Sequence, residues 1–285
     1  MRVSVVLSTY NSPNWLEKVL WGYAAQTERP DEIVVADDGS TDQTRERIEL
    51  LRRATQLNIQ HVWHEDRGFR KCTILNRAID ATEGDYLIFS DGDCIPRADF
   101  VATHKKHAQP GWFLSGGYFM LPLKLSQAIT REDITEGRAT DAQWLRTQGL
   151  PWTTKLLKLR ARGAWATLLD QVTPTRASWN GHNASTWKID LRGVNGFDER
   201  MAYGGEDREL GERLLQRGLR SKRLRHRAIV VHLDHKRGYV NAEAVAANRA
   251  IWDETLRTRA TWTEHGLVQA CRPPRLRIAP ETRAA

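Results

Sequence analysis

The stretch Val3-Ser4-Val5-Val6-Leu7 is short, apolar and β-branched, the pattern of a strand buried on both faces. It runs into Asn11-Ser12-Pro13, where a capping residue precedes a proline suited to a first helical turn, and Leu16, Val19, Leu20 and Tyr23 then recur at helical spacing. Pro30 closes that segment. Ile33-Val34-Val35-Ala36 repeats the strand pattern, and a helix opening at Asp42 carries Ile48 and Leu51 on one face. A third strand near Gln60 to Trp63, a helix near Arg70 to Ala81 and a fourth strand at Tyr86-Leu87-Ile88-Phe89 complete the alternation. Strands alternating with helices predict an α/β fold, a mainly parallel sheet flanked by helices. In such sheets the ligand lies beyond the carboxyl ends of the strands. Those positions are acidic: Asp37-Asp38-Gly39-Ser40, Glu65-Asp66 and Asp91-Gly92-Asp93.

The pattern weakens after residue 120, and residues 121–175 read as an insertion with helical pieces. Order returns at Trp179 to Lys188, followed by the turn-rich Gly193-Val194-Asn195-Gly196-Phe197, a helix from about Asp207 to Arg217, a strand at Ala228 to Val231 and a last helix near Ala242 to Arg257. The expected organisation is a single large domain. Residues 1–120 and 176–240 form its two halves, 121–175 is inserted, and 241–285 is a C-terminal helix with a basic tail. With 285 residues, 40% of them apolar, and 11 Trp, the chain has material for a sizeable core. Fibrous and disordered classes are thereby disfavoured.

Charge adds a direction. The net value of +8 is uneven, since residues 1–207 carry 26 basic and 27 acidic side chains while residues 208–285 carry 17 and 8. A cationic end on a near-neutral body predicts an anionic neighbour, phospholipid headgroups or a phosphorylated acceptor, with nucleic acid the alternative. Cys72, Cys94 and Cys271 are an odd count without paired spacing, which points to a reducing compartment. The leading apolar run is too short for a secretory signal core, and no stretch approaches the roughly 18 apolar residues of a membrane span. A cytoplasmic location is the expectation.

Asp91-Gly92-Asp93 sets two carboxylates on a tight turn after a buried strand, where both can approach one hard divalent cation. Taken alone the tripeptide also reads as a polar turn. Nucleotide chemistry of the dinucleotide or P-loop kind is disfavoured, because no glycines are spaced G-x-G and no G-x-x-x-x-G-K-[ST] occurs.

Together, Val5-Val6-Leu7-Ser8-Thr9-Tyr10-Asn11, Ile33 to Asp42 and Gly84 to Asp93 resemble the N-terminal half of a family 2 glycosyltransferase with a GT-A fold. Asn195-Gly196-Phe197-Asp198-Glu199 and Tyr203-Gly204-Gly205-Glu206-Asp207 are similar to the C-terminal part shared by β-1,4-galactosyltransferases and chondroitin-polymerase domains. The resemblance implies a Rossmann-like GT-A sheet, with residues 1–120 binding a nucleotide sugar and 176–240 holding the acceptor and the catalytic group. It puts Thr9 and Asp38, or its neighbour Asp37, at the uracil and ribose of a UDP-sugar, with Asp66 and Arg70 on the same side. Asp93 and Asp91 hold Mn²⁺ or Mg²⁺ on the diphosphate. His232 matches a third metal ligand, with His235 the alternative. Asp207 is the general base and Glu206 the acceptor-holding acid, though both also suit the first turn of a helix as complements to its dipole. Tyr203 stands where galactosyltransferases often show Trp, so donor identity does not transfer.

The implied activity is metal-dependent, inverting transfer of a hexosyl unit to a saccharide or glycolipid acceptor in bacterial surface-glycan synthesis, with no nucleic acid partner expected. A nucleotide-sugar hydrolase and a non-catalytic binder of anionic polymer are the alternatives. Residues 142–169 contain Arg146, Lys155, Lys158, Arg160 and Arg162 and no acid, while Trp152, Leu156, Leu159 and Gly163 recur at helical spacing. This segment reads either as a basic amphipathic helix in peripheral contact with an anionic membrane, at its inner face, or as a helix packed on the domain.

Overall fold

The computed structural model describes residues 1–235 and 241–268. Strands β1 (Val3–Thr9), β2 (Glu32–Asp37), β3 (Ile59–Trp63) and β4 (Tyr86–Asp91) alternate with helices α1 (Pro13–Ala24), α2 (Asp42–Thr55) and α3 (Lys71–Ala81), much as the apolar pattern predicts. Three elements that the pattern does not reveal follow: the short strand β5 (Cys94–Pro96), helix α4 (Phe100–His107) and strand β6 (Trp112–Met120). Residues 123–172 contain α5 (Leu123–Ala128), α6 (Arg131–Thr135), α7 (Ala142–Thr147), α8 (Leu157–Arg160) and α9 (Gly163–Val172). The chain closes with β7 (Asn183–Trp187), α10 (Lys188–Gly193), α11 (Glu206–Gln216), β8 (Arg220–His232) and α12 (Ala242–Thr258). The basic tail expected after α12 lies mostly outside the described residues.

All eight strands form one sheet in the order β3-β2-β1-β4-β7-β6-β8-β5. β3, β2, β1 and β4 are mutually parallel, β7 is antiparallel to both β4 and β6, β8 runs parallel to β6, and β5 is antiparallel to β8. Alternation along β1 shows how the sheet is covered. Val3, Val5 and Leu7 enter a core shared with α1, α2 and α4, whereas Val6 faces a second core containing Ile74, Leu75 and Ile79 of α3 and Leu210 and Leu214 of α11. The predicted helical stripe Leu16, Val19, Leu20 and Tyr23 is fully buried.

Two expectations change. The strand read at Ala228 to Val231 begins eight residues earlier, at Arg220, because the first half of β8 is rich in Arg and Lys and hides its inward Leu224 and His226. The amphipathic helix read through Trp152, Leu156, Leu159 and Gly163 is not continuous. A 3₁₀ turn over Thr154–Leu156 leads into α8, and Ala161 and Arg162 take extended backbone before α9. Leu156 and Leu159 are buried while Trp152 is 70% exposed, so the spacing describes a packed stripe only in part.

Candidate active site

The carboxyl ends of β1 and β4, the start of α3, the loop before β7, the first turn of α11 and the end of β8 converge on a cleft of about 790 Å³. Its wall includes Thr9, Asp38, Lys71, Asp91, Asp93, His182, Glu206, Asp207, His232 and His235. Residues spread over more than 220 positions therefore share one site, which follows from the topology. Cys94 of β5 is paired with His232 of β8, so the turn carrying Asp93 abuts the end of β8.

On the donor side the two neighbouring acids separate. Asp38 lines the cleft and accepts from the Arg70 backbone N–H at 2.9 Å, with His64 Nε2 at 2.7 Å from its other oxygen. Burial raises its pKa against the pull of both partners. Asp37 is fully buried and structural in its contacts, taking the Ser40 N–H and lying 2.9 Å from His61 Nε2. Asp66 stands at the exposed rim, where it accepts from the Tyr10 hydroxyl and the Gly68 N–H. Arg70 meets the site through its backbone. The Thr9 hydroxyl is buried without a protein partner, the condition of a group built to meet a ligand.

Asp91 and Asp93, two residues apart, diverge as well. Asp91 accepts from Ser8 Oγ at 2.5 Å and Lys71 Nζ at 3.0 Å. Although burial opposes its charge, Lys71 and Ser8 hold it below the usual carboxylate range. Asp93 turns instead to the histidines, with His235 Nε2 at 2.9 Å and His232 Nε2 at 3.7 Å. His232 Nδ1 lies 2.9 Å from the Leu233 carbonyl, which can only accept, so Nδ1 carries a proton and Nε2 is the ring nitrogen turned toward Asp93. Cys94 Sγ also lies near and donates to Asp93, and burial pushes its thiol up. Asp93, His232 and His235 together offer one carboxylate and two imidazoles, an oxygen and nitrogen set that fits a divalent ion such as Mn²⁺.

Glu206 and Asp207 open α11 behind Gly204 and Gly205, whose φ of 108° and 96° only glycine adopts freely. Glu206 turns back to the Gly204 N–H at 2.8 Å. Asp207 Oδ2 accepts from the Gly181 N–H at 2.8 Å, and Oδ1 is buried with no partner. Gly181 makes this possible, since a Cβ there would stand 2.6 Å from Asp207 Oδ1. Burial, reinforced by the Glu206 charge, lifts the Asp207 carboxyl to about 7. A carboxylate with one oxygen anchored, one free and a pKa near neutrality is equipped to take a proton.

Sequence reasoning misses three cleft residues. Lys71 is half-buried, and although desolvation works against its charge, the facing Asp91, Asp207 and Glu206 hold it protonated. Its signal is faint: three cations, Arg67, Arg70 and Lys71, in five positions after an acidic strand end. His182 is held neutral, at about 4, by burial, and its ring sits edge-on to Tyr118 at 4.7 Å. Neither it nor Gly181 stands in a recognisable motif.

Two family models match parts of the chain. The model for Glycosyl transferase family 2 matches residues 4–113, and the one described as the N-terminal domain of galactosyltransferase matches residues 176–236. Residues 4–113 form a glycosyl transferase family 2 domain. The chain is 30% identical over 235 residues to a validoxylamine A glucosyltransferase from Streptomyces hygroscopicus subsp. limoneus, covering 76% of this chain and 48% of the relative. The chain thus spans about half the length of the curated relatives it matches first. Staphylococcus aureus TarS 1-349 in complex with UDP-GlcNAc superposes with a TM-score of 0.59 at 20% identity, over 90% of this chain and 67% of that one. The mannosyltransferase PcManGT from Pyrobaculum calidifontis, in complex with GDP-Man and Mn²⁺, gives 0.58 at 22% identity, over 90% and 64%. These likenesses show the GT-A fold. Among the described residues no helix is long and apolar enough to cross a membrane.

Proposed function

We propose that this chain transfers a hexosyl unit, with inversion, from a UDP-sugar to a hydroxyl of a saccharide acceptor, with a divalent cation bound at Asp93, His232 and His235, in the making of a bacterial surface glycan. The observation that carries the reading is Asp207, with a free oxygen and a carboxyl lifted to about 7, in the same cleft as Asp38, Asp93 and the two histidines. The UDP-GlcNAc held by the TarS structure and the glucosyltransferase name of the Streptomyces relative support a nucleotide-hexose donor.

The reaction is one displacement. The acceptor oxygen forms a bond to the anomeric carbon, the bond from that carbon to the diphosphate oxygen breaks, and UDP leaves with the bonding pair. The acceptor proton passes to Asp207 Oδ1, while the Gly181 N–H on Oδ2 keeps the carboxylate aimed. Thr9 and Asp38 hold the nucleoside. Lys71, cationic beside Asp91, supplies positive charge where the diphosphate accumulates negative charge. Glu206 orients the acceptor. Asp93, His232 and His235 would hold the cation, which would supply positive charge to the diphosphate. The decisive experiment measures UDP binding by calorimetry with and without Mn²⁺, then sugar transfer with and without a saccharide acceptor. Metal-dependent UDP binding and acceptor-dependent UDP release are expected. Equal UDP-sugar turnover without acceptor would make the enzyme a hydrolase.

A further inference from the structure

Away from the cleft floor, α9 and the segment leading into it carry a surface the transfer reaction does not use. The inner face of α9 is fixed: Ala166 and Asp170 are buried, Asp170 meets the His226 N–H at 2.9 Å and Arg227 Nε at 2.7 Å, and Arg223 bonds the Thr173 and Thr175 carbonyls. Its outer face presents Trp165, Leu168 and Val172 at positions i, i+3 and i+7, exposed to 53%, 46% and 65%. Trp152 and Leu157 of the preceding segment are also exposed. Both α8 and α9 pack against β8.

Charge decides what suits this surface. Lys155, Arg160 and Arg162 are exposed within it, and residues 142–169 hold no acid. Apolar side chains including two Trp, ringed by cations on a rigidly pinned helix, match the interfacial region of an anionic bilayer, where the rings enter the headgroup boundary and the cations meet lipid phosphates. A second link ties the surface to the cleft. Lys158 Nζ donates to the Tyr118 carbonyl at 3.1 Å and sits 5.2 Å from the Tyr118 ring centre, and Tyr118 and Met120 line the cleft.

We propose that the outer face of α8–α9 is a docking surface for anionic lipid headgroups, which sets the cleft mouth at a membrane and would present a lipid-linked acceptor to it. The placement of an acceptor rests on the transferase reading, whereas the binding itself does not. The full chain is sedimented with vesicles of phosphatidylcholine alone and with phosphatidylglycerol added, at low and high salt. Wild type is expected to pellet with the anionic vesicles at low salt and to be released by high salt. Trp165→Ser with Leu168→Ser should weaken the partition at least tenfold. Lys155→Ala with Arg160→Ala should weaken it about thirtyfold, at roughly 1 kcal/mol per cation near the surface. All four positions are exposed, and circular dichroism checks the fold of both variants. Retention of wild type in the supernatant, or equal pelleting of wild type and both variants, overturns the proposal. So does a concentration-dependent dimer, abolished by the Trp165 and Leu168 substitutions, in a chain that ignores vesicles. Transfer to a soluble acceptor should be unchanged in both variants, so failure here and failure of the transferase reading are distinguishable.

Discussion

Asp207 concentrates the cost and the use of the site in one side chain. Its carboxyl is lifted from the model-peptide value of 3.8 to about 7, so between those values the native chain retains a proton that the unfolded chain releases. Stability from this group is therefore present at low pH and lost as pH rises through about 7. We expect Asp207→Asn, which keeps an acceptor for the Gly181 N–H, to raise Tm at pH 8 by about 2–6 °C and to change it little near pH 4. A melting series across that range checks the sign. The same substitution should lower kcat for transfer by roughly 10²–10⁴-fold with UDP-sugar affinity retained. In the wild type kcat/KM should fall as pH drops below about 7. Asp93→Asn should instead remove the Mn²⁺ dependence of UDP binding, because Asp93, not the Lys71-bound Asp91, faces the histidines. Unchanged calorimetric affinity with Mn²⁺ would reject that ligand assignment. Lys71→Met should weaken UDP binding and, by deleting a cation near Asp207, move the acid limb of the pH profile upward. Lys71→Arg should restore part of both, and a profile that stays in place would remove Lys71 from the electrostatics of the base.

At the scale of elements, the site depends on how α11 is seated. Arg213, fully buried, makes paired hydrogen bonds from Nε and Nη2 to Glu209 at 2.7 Å each, and its Nη1 donates to the Val194 and Gly196 carbonyls. This ties α11 to the turn after α10. Arg213→Met would strand the Glu209 charge and two carbonyls, at a cost of about 3–5 kcal/mol. Chemical denaturation should show that loss, with transfer activity falling in step because Glu206 and Asp207 ride on the same helix. A variant as stable as wild type would show that the pair is not what seats α11. Short elements explain why part of the chain resists reading. β5 has three residues and α8 four, so periodicity has no length over which to build, and in β6 the register against β8 shifts between Gly116 and Gly117.

The molecule as a whole is one eight-stranded sheet between two cores, with β1 and β4 contributing to both. It should melt in a single transition, and UDP with Mn²⁺ should raise that Tm by more than either alone, since only the native cleft gathers both sets of ligands. Additive shifts would separate the metal site from the nucleotide site. The repeated switch from apolar run to helical spacing in the first ninety residues determined the parallel half of the sheet, because a strand buried on both faces tolerates little but apolar side chains. It determined too that acids follow β2, β3 and β4, and the spacing around Asp91-Gly92-Asp93 and Glu206-Asp207 carried the family. Only the tertiary structure decided which partners each acid of a pair meets. Asp38 lines the cleft beside His64 while Asp37 is buried against His61, and Asp93 faces the histidines while Asp91, in the same cleft, holds Lys71. It also decided the membership of Lys71, Gly181 and His182, whose roles come from contacts across the sheet: burial, a facing charge and an open Cβ position are properties of the packed cleft, and no local pattern in the chain encodes them.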